Sequence, residues 1–277
     1  MKKRILKIGA LALAILLILG VLWFANGLVG NPVSYLLAKN TAEKHLEANY
    51  AGQNFVLERV SFSFKDGQYH AYVTSPSSLD SDFTMLINLW GKLRYDTYED
   101  RVLNRGNTAD RLRDDYRAMV DEVLDNPTFP YVVDIGFGEL VFVEKTYADD
   151  PTVPDYAILA NDLTLDGVYN VNEMGATAGK LTLYVTDDTV THQRLAEILL
   201  TVRDRFDRAG VRFYAVDLVL EYPKSEDGTF RDGRVEVMEF LYSDIYEEDL
   251  VERVTASDEA AKEYYAKQDK EKTAEIK

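Results

Sequence analysis

The chain has 277 residues, 47 % of them hydrophobic and including 18 Tyr and 12 Phe, a composition that supports a packed core and excludes global disorder. Its 47 acidic residues outweigh 31 basic ones, for a net charge of −16, which argues against nucleic-acid partners and against peripheral binding to anionic lipid. Cysteine is absent, so disulfides, thiolate metal sites, a Cys nucleophile and a lipid-modified cysteine are all excluded.

Lys2, Lys3, Arg4 and Lys7 form a basic leader over 1–7, and an uncharged run follows over 8–29. As a helix that run would be about 33 Å long at ~1.5 Å per residue, matching a hydrocarbon core of about 30 Å. Trp23 and Phe24 stand near its far end, where aromatic rings favour the membrane–water interface. The positive-inside bias puts the leader in the cytoplasm and everything after Gly30 outside. The competing reading is a cleaved signal peptide, for which Ala25-Asn26-Gly27 offers a small-x-small site. Because the apolar run exceeds the roughly 7–15 residues of a signal core, a retained transmembrane helix is expected.

Asn31-Pro32 supplies an N-cap and a first-turn proline for a helix over 33–50, and Ala51-Gly52 breaks it. Runs over 55–64 and 68–75 flank Asp66-Gly67, which predicts a hairpin with a two-residue type I′ turn. That register sets Phe64 against Tyr69, Phe62 against Ala71 and Val60 against Val73 on one face. Ser63 then meets His70, and Ser61 meets Tyr72, on the other. A third strand is expected over 83–90. The next helix, capped by Asn107 or Thr108, carries Leu112, Tyr116, Met119, Val120 and Val123 at helical spacing and ends at Asn126-Pro127. The order helix, three strands, helix predicts an N-terminal α+β domain over 31–126 with an antiparallel sheet.

From Tyr131 the chain restarts. Residues 131–144 are expected to be extended, with a bend near Gly136 and Gly138, and 148–156 a loop. Strands follow over 157–165 and 180–186. A helix over 190–209 shows the stripe Leu195, Ile198, Leu199, Val202, Phe206, with Gly210 as its cap. Strands over 211–222 and 234–242 flank a polar loop over 223–233, and a short helix is expected over 245–254. These make a second antiparallel α+β domain over 131–255, with a charged tail over 256–277 that is helical or disordered.

Several motifs carry a resemblance. They are Gly30-Asn31-Pro32-Val33-Ser34, Thr41-Ala42-Glu43-Lys44-His45-Leu46, Arg59-Val60-Ser61-Phe62, Phe64-Lys65-Asp66-Gly67, Ser75-Pro76-Ser77-Ser78 and Asn107-Thr108-Ala109-Asp110-Arg111-Leu112. Through about Met119 the chain resembles the N-terminal domain of the YfjL-like proteins, a membrane-anchored family of Gram-positive bacteria. The half after Tyr131 resembles that family's second domain. The resemblance implies a location and an architecture, and it supplies no activity. The helix-then-meander order is also similar to PepSY- or cystatin-like domains, a likeness of fold only.

Candidate chemistry is sparse. The three histidines, His45, His70 and His192, lie far apart in sequence, and none forms an H-E-x-x-H pair. His70 opposite Ser63 lacks an orienting acid and an oxyanion hole, so an ordinary cross-strand polar pair is the better reading. His45 reads as a surface position and His192 as a first-turn helix residue. Gly175-Ala176-Thr177-Ala178-Gly179-Lys180 is one residue short of a phosphate loop and precedes a strand where a helix is required. The acidic pairs Asp114-Asp115, Asp149-Asp150 and Asp187-Asp188, with Asp80 and Asp82, match no calcium loop. Tyr72, Leu86 and Trp90 fall on the outer face of the first sheet, an apolar patch if left uncovered.

No catalytic, cofactor-binding or metal residue is therefore nominated, and no cofactor is expected. The sequence favours a non-catalytic binding module on a single-pass anchor, integral to the membrane with its N-terminus inside, and with an envelope protein as partner. One alternative is an extracytoplasmic hydrolase acting on envelope material, in which His70 or several carboxylates would converge. Another is an accessory or sensor subunit coupled through the small residues Gly9, Ala10, Ala12, Ala14 and Gly20.

Overall fold

The computed structural model describes residues 2–225, 228–229, 231 and 233–275. Met1 of the expected leader, 226–227, 230 and 232 of the expected polar loop, and 276–277 of the expected tail lie outside the described residues. The chain packs as two compact units, Met1–Thr108 with Thr164–Asp166, and Ala109–Leu163 with Gly167–Lys277.

The first unit opens with α1 (Lys2–Val29), long and apolar enough to cross a membrane. Among its described side chains none joins a core: Leu13, Leu16, Leu17 and Trp23 are all exposed. Helix α2 (Pro32–Asn49) follows after Gly30 and Asn31. Asn31 is its N-cap, the Oδ1 accepting from the Ser34 N–H at 2.8 Å. Four strands form an antiparallel meander in the order β1 (Val56–Ser63), β2 (Gln68–Thr74), β3 (Phe83–Ile87), β4 (Leu93–Asp96). Ala38 and Ala42 of α2 are fully buried against Tyr69, Ala71 and Val73 of β2 and Phe83, Met85 and Ile87 of β3. Two alanines bring the helix close to the sheet, and Met85 and Ile87, fully buried, each contribute on the order of 1.5–3 kcal/mol.

Two expectations for this unit are corrected. The hairpin pairs Ser63 with Gln68, Phe62 with Tyr69 and Val60 with Ala71, so the connection spans 64–67. A type I′ turn needs left-handed backbone at both central residues, and only Gly67 (φ 68) adopts it. The register moves by two positions, which keeps Val60 and Phe62 on the core face but leaves Phe64 exposed at the tip. Second, the third strand stops at Ile87, where Asn88 Oδ1 accepts from the N–H groups of Trp90 and Lys92 and turns the chain into a fourth strand, β4. Trp90 is thus a turn residue. Leu86 is buried and Tyr72 half-buried beneath the Arg59 guanidinium, 4.2 Å from its ring, so these two residues do not join Trp90 in a bare apolar patch.

The second unit contains α3 (Gly106–Leu124) from Ala109 onward, β5 (Val132–Leu140), the two-residue strands β6 (Phe142–Val143) and β7 (Ile158–Leu159), α4 (Val171–Ala178), β8 (Gly179–Thr186), α5 (His192–Ala209), β9 (Ala215–Glu221), β10 (Arg234–Leu241) and α6 (Leu250–Glu275). Its main sheet runs β10-β9-β8-β5. β8 and β9 are parallel, joined by α5 in a βαβ unit, while β5–β8 and β9–β10 are antiparallel. The second sheet is therefore mixed, not wholly antiparallel. Leu181, Leu183 and Val185 of β8 and Val216, Leu218 and Leu220 of β9 face the stripes of α3 and α5 in one core. The α3 stripe, Leu112, Tyr116, Val120 and Val123, is buried here, so the packing divides ahead of this helix whereas the sequence reading divides after it. Asn107 does not cap α3: its side-chain amide donates to the carbonyls of Asp80 and Asp82. The strand expected over 157–165 is only Ile158–Leu159, followed by a short 3-10 turn. Residues 256–275 continue α6 as helix, with Asp258 and Ala261 buried.

Candidate functional site

The residues singled out in the sequence separate into local arrangements. His70 Nε2 meets Asp66 Oδ2 at 2.7 Å in the hairpin turn and pairs across strands with Ser61, so the Ser63–His70 pair is not formed. Burial works to raise the Asp66 pKa, but hydrogen bonds from His70, Ser63 and the Gln68 N–H bring it below the usual carboxylate range. His45 Nε2 lies 2.7 Å from Asp96 Oδ2, which also accepts from the Tyr50 hydroxyl at 2.9 Å. Tyr50 in turn belongs to a cluster of rings with Phe55, Phe83 and Tyr98. The acidic pairs cap turns or face solvent. Asp150 accepts from the N–H and hydroxyl of Thr152, Asp187 holds Arg194 at 2.8 Å, and Asp114 and Asp115 are exposed. Among the described residues no group of three or more His, Asp and Glu is placed to hold a metal ion.

The glycines of the phosphate-loop-like stretch have a packing role. Gly175 ends inside α4 and Gly179 opens β8, so helix precedes strand. A Cβ on Gly175 or Gly179 would fall 2.5 Å from Tyr116 atoms, and one on Gly138 would fall 3.1 Å from the same ring. Tyr116, fully buried, donates its hydroxyl to the Arg212 carbonyl at 2.8 Å.

Two further clusters went unread in the sequence. In the first, the edge strand β10 meets α6. Asp258, fully buried, accepts from the Glu236 N–H at 3.1 Å, from His192 Nε2 at 2.8 Å and from Lys262 Nζ at 2.5 Å. The carboxylate thus satisfies a backbone donor on the sheet's edge and covers that edge with a helix.

The second cluster is the best-built candidate for recognition. Lys180 on β8 extends to Asp217 on β9, 2.8 Å away, and to Glu239 on β10. Glu139 is its cross-strand neighbour on β5. Glu239 sits where β10 slips register between Val237 and Phe240, with left-handed backbone at φ 49. That conformation costs on the order of 1–2 kcal/mol for a residue with a Cβ. The Asp217 carboxylate holds it in place, accepting the Glu239 N–H at 2.7 Å. Such bulges re-aim side chains, and here the Glu239 carboxylate reaches the Tyr156 hydroxyl. Tyr156 packs on Tyr214 with ring centroids 4.8 Å apart. Beside them lies an open cleft of about 410 Å³ lined by Pro154, Asp155, Tyr156, Tyr214, Glu239 and Leu241.

Electrostatics fixes the charges in these clusters. Burial works to lower the Lys180 pKa, but the bonds to Asp217 and Glu239 outweigh it and hold the ammonium above the usual lysine range. Burial, then the bond to Glu239, pushes the Tyr156 phenol up. Burial works to raise Asp258, and its bonds to Lys262, His192 and the Glu236 N–H carry it below the carboxylate range. A general base or a nucleophilic lysine needs a pKa moved toward neutrality, and each of these groups moves away from it. Asp82 moves up, through burial and the neighbouring charges of Glu58 and Asp80, and it is solvent-exposed, so water screens the effect.

One signal for the Lys180 cluster was present in the sequence. Asp217 is the single charged residue inside the apolar run Ala215-Val216-Asp217-Leu218-Val219-Leu220, and a charge there must be paired. Tyr156 and Glu239 are remote in sequence and gave none.

No curated protein and no solved structure matches the chain. The YfjL-like N-terminal domain model matches residues 2–97, and the YfjL-like C-terminal domain model matches residues 115–255. The two matches fall on the helix-and-meander unit and on the mixed-sheet unit in that order, and the chain belongs to the YfjL-like family.

Proposed function

We propose that this chain is a single-pass membrane protein of the Gram-positive cell envelope. α1 is retained as the anchor, the leader lies in the cytoplasm, and both α+β units lie outside and act as a non-catalytic binding module. The observation that carries the reading is the join between α1 and the first unit. Tyr69 of β2 accepts from the Asn31 N–H at 2.9 Å and donates to the Asn31 carbonyl at 2.9 Å. Asn31 Nδ2 reaches back to Asn26 Oδ1 at 2.9 Å. Gly30, at φ 72, has no room for a side chain, since a Cβ would lie 2.4 Å from the Tyr69 hydroxyl. The segment that follows the apolar helix is thus held to the folded unit by specific bonds, and the Asn26–Asn31 bond that ties the helix itself to that segment is the one that cleavage at Ala25-Asn26-Gly27 would remove.

The fixed charge states of the Lys180 and Asp258 clusters favour binding over proton transfer. The cleft beside Tyr156 and Tyr214 offers two rings and two carboxylates for recognition at the outer face of the second sheet. Photo-crosslinking of the full-length protein in its native membrane, from a photoreactive residue at Asp155, tests this reading. A specific envelope polypeptide should be captured, and capture should fall when Tyr214→Ala removes one wall. Failure to capture any partner, together with turnover of a wall polymer by the purified protein, would overturn it.

A further inference from the structure

We propose that the end of the first sheet that receives α1 is a membrane-contact surface, whose two turns place Phe64 and Trp90 in the interfacial layer of the bilayer. The proposal rests on the anchored reading of α1. Pairing of Ser63 with Gln68, Tyr69 with Ile87 and Ile87 with Leu93 puts the β1–β2 and β3–β4 turns at one end of the meander. The Tyr69 hydroxyl that clamps Asn31 is at the same end, so α1 arrives there. Each turn presents one aromatic ring to solvent, Phe64 at 64 % and Trp90 at 85 % exposure. Phe64 shares a hollow of about 310 Å³ with Trp23, Phe24 and Leu28 of α1. If Trp23 and Phe24 sit at the interface, as such rings prefer, Phe64 lies at their depth.

The chemistry around the rings fits a lipid surface. Lys65 and Lys92 follow the two rings closely in sequence, and a lysine stem can lie along the apolar layer while its ammonium stays in the headgroups. Val33 and Leu36, on the first turns of α2, are exposed as well and extend the apolar surface directly from the anchor. The opposite end of the sheet contrasts. Its β2–β3 connection carries Asp80 and Asp82 and no aromatic ring, although Leu79 is exposed there. The occupant argued for is therefore the bilayer that α1 enters, reached by continuity of the apolar surface.

The chain has two tryptophans, Trp23 and Trp90, which permits a label-free test. Full-length single-tryptophan variants are placed in phosphatidylcholine nanodiscs containing lipids brominated near the interface. Trp90→Phe leaves Trp23 as reporter of the anchor, and Trp23→Phe leaves Trp90. In the Trp23→Phe/Trp90→Phe background, Phe64→Trp reports the hairpin tip and Leu79→Trp the far end. Loss of emission on bromination is expected at positions 23, 90 and 64, with none at 79. Quenching at 23 without quenching at 90 and 64 would overturn this inference and leave the anchor standing. Absence of quenching at 23 would remove the anchor reading and this inference with it. Equal quenching at 79 would show contact without preference for one end, and would also overturn it.

Discussion

The residues with the least chemistry do much of the structural work. Gly138, Gly175 and Gly179 surround the Tyr116 ring, and a Cβ on Gly175 would also lie 2.5 Å from the Arg212 carbonyl oxygen. Backbone cannot yield as a flexible side chain does, so Gly175→Ala should cost about 1–3 kcal/mol, the range for overpacking a filled core. Denaturant unfolding of the full-length protein should show a lower midpoint with unchanged slope. In the sequence these glycines looked like a broken phosphate loop. Helix-before-strand order was enough to set that motif aside, but nothing local to 175–180 points to a tyrosine some 60 positions earlier. Side-chain partnership at that range was not legible. Two caps were, because they are local: Asn31 and Gly210, the latter at φ 71, stand where the sequence placed them, whereas Asn107 does not.

At the scale of elements, one carboxylate of α6 satisfies the edge of the second sheet. Asp258→Ala would leave the Glu236 N–H of β10 without its acceptor, a loss of about 1–3 kcal/mol for a buried donor. Its titration has a defined sign. Asp258 is held below its unfolded value of about 3.9, so the unfolded chain takes up the proton first. The stability it contributes is present above that value and is lost as pH falls through the lower folded pKa. Melting curves should therefore fall away below about pH 4, and Asp258→Asn should make that fall shallower. A pH dependence identical to that of the parent protein would show that Asp258 is not the group responsible.

Elements were legible where one period governed them: α5 and β8 follow their hydrophobic spacing closely. The hairpin shows the limit. Alternation identified the buried face, while the turn type depended on whether Asp66 would adopt left-handed backbone, which Gly67 alone does. Pairing direction was not legible either. The parallel β8–β9 contact follows from the α5 crossover, and periodicity is blind to it. A helical stripe likewise says that α3 packs, and is silent on which unit receives it.

For the molecule as a whole, the apolar helix α1 is joined to the first unit through Asn31, which bonds Asn26 on one side and Tyr69 on the other. In the proposed topology the basic leader before it marks the cytoplasmic side. Because the chain lacks cysteine, one introduced thiol reports side without ambiguity. Val168 in the second unit is 99 % exposed and serves as that position. In intact cells Val168→Cys should react fully with a membrane-impermeant maleimide, and the labelled protein should stay with the membrane fraction at its full length. Labelling that requires permeabilisation would contradict the orientation, and labelled protein released at a shorter length would contradict the anchor.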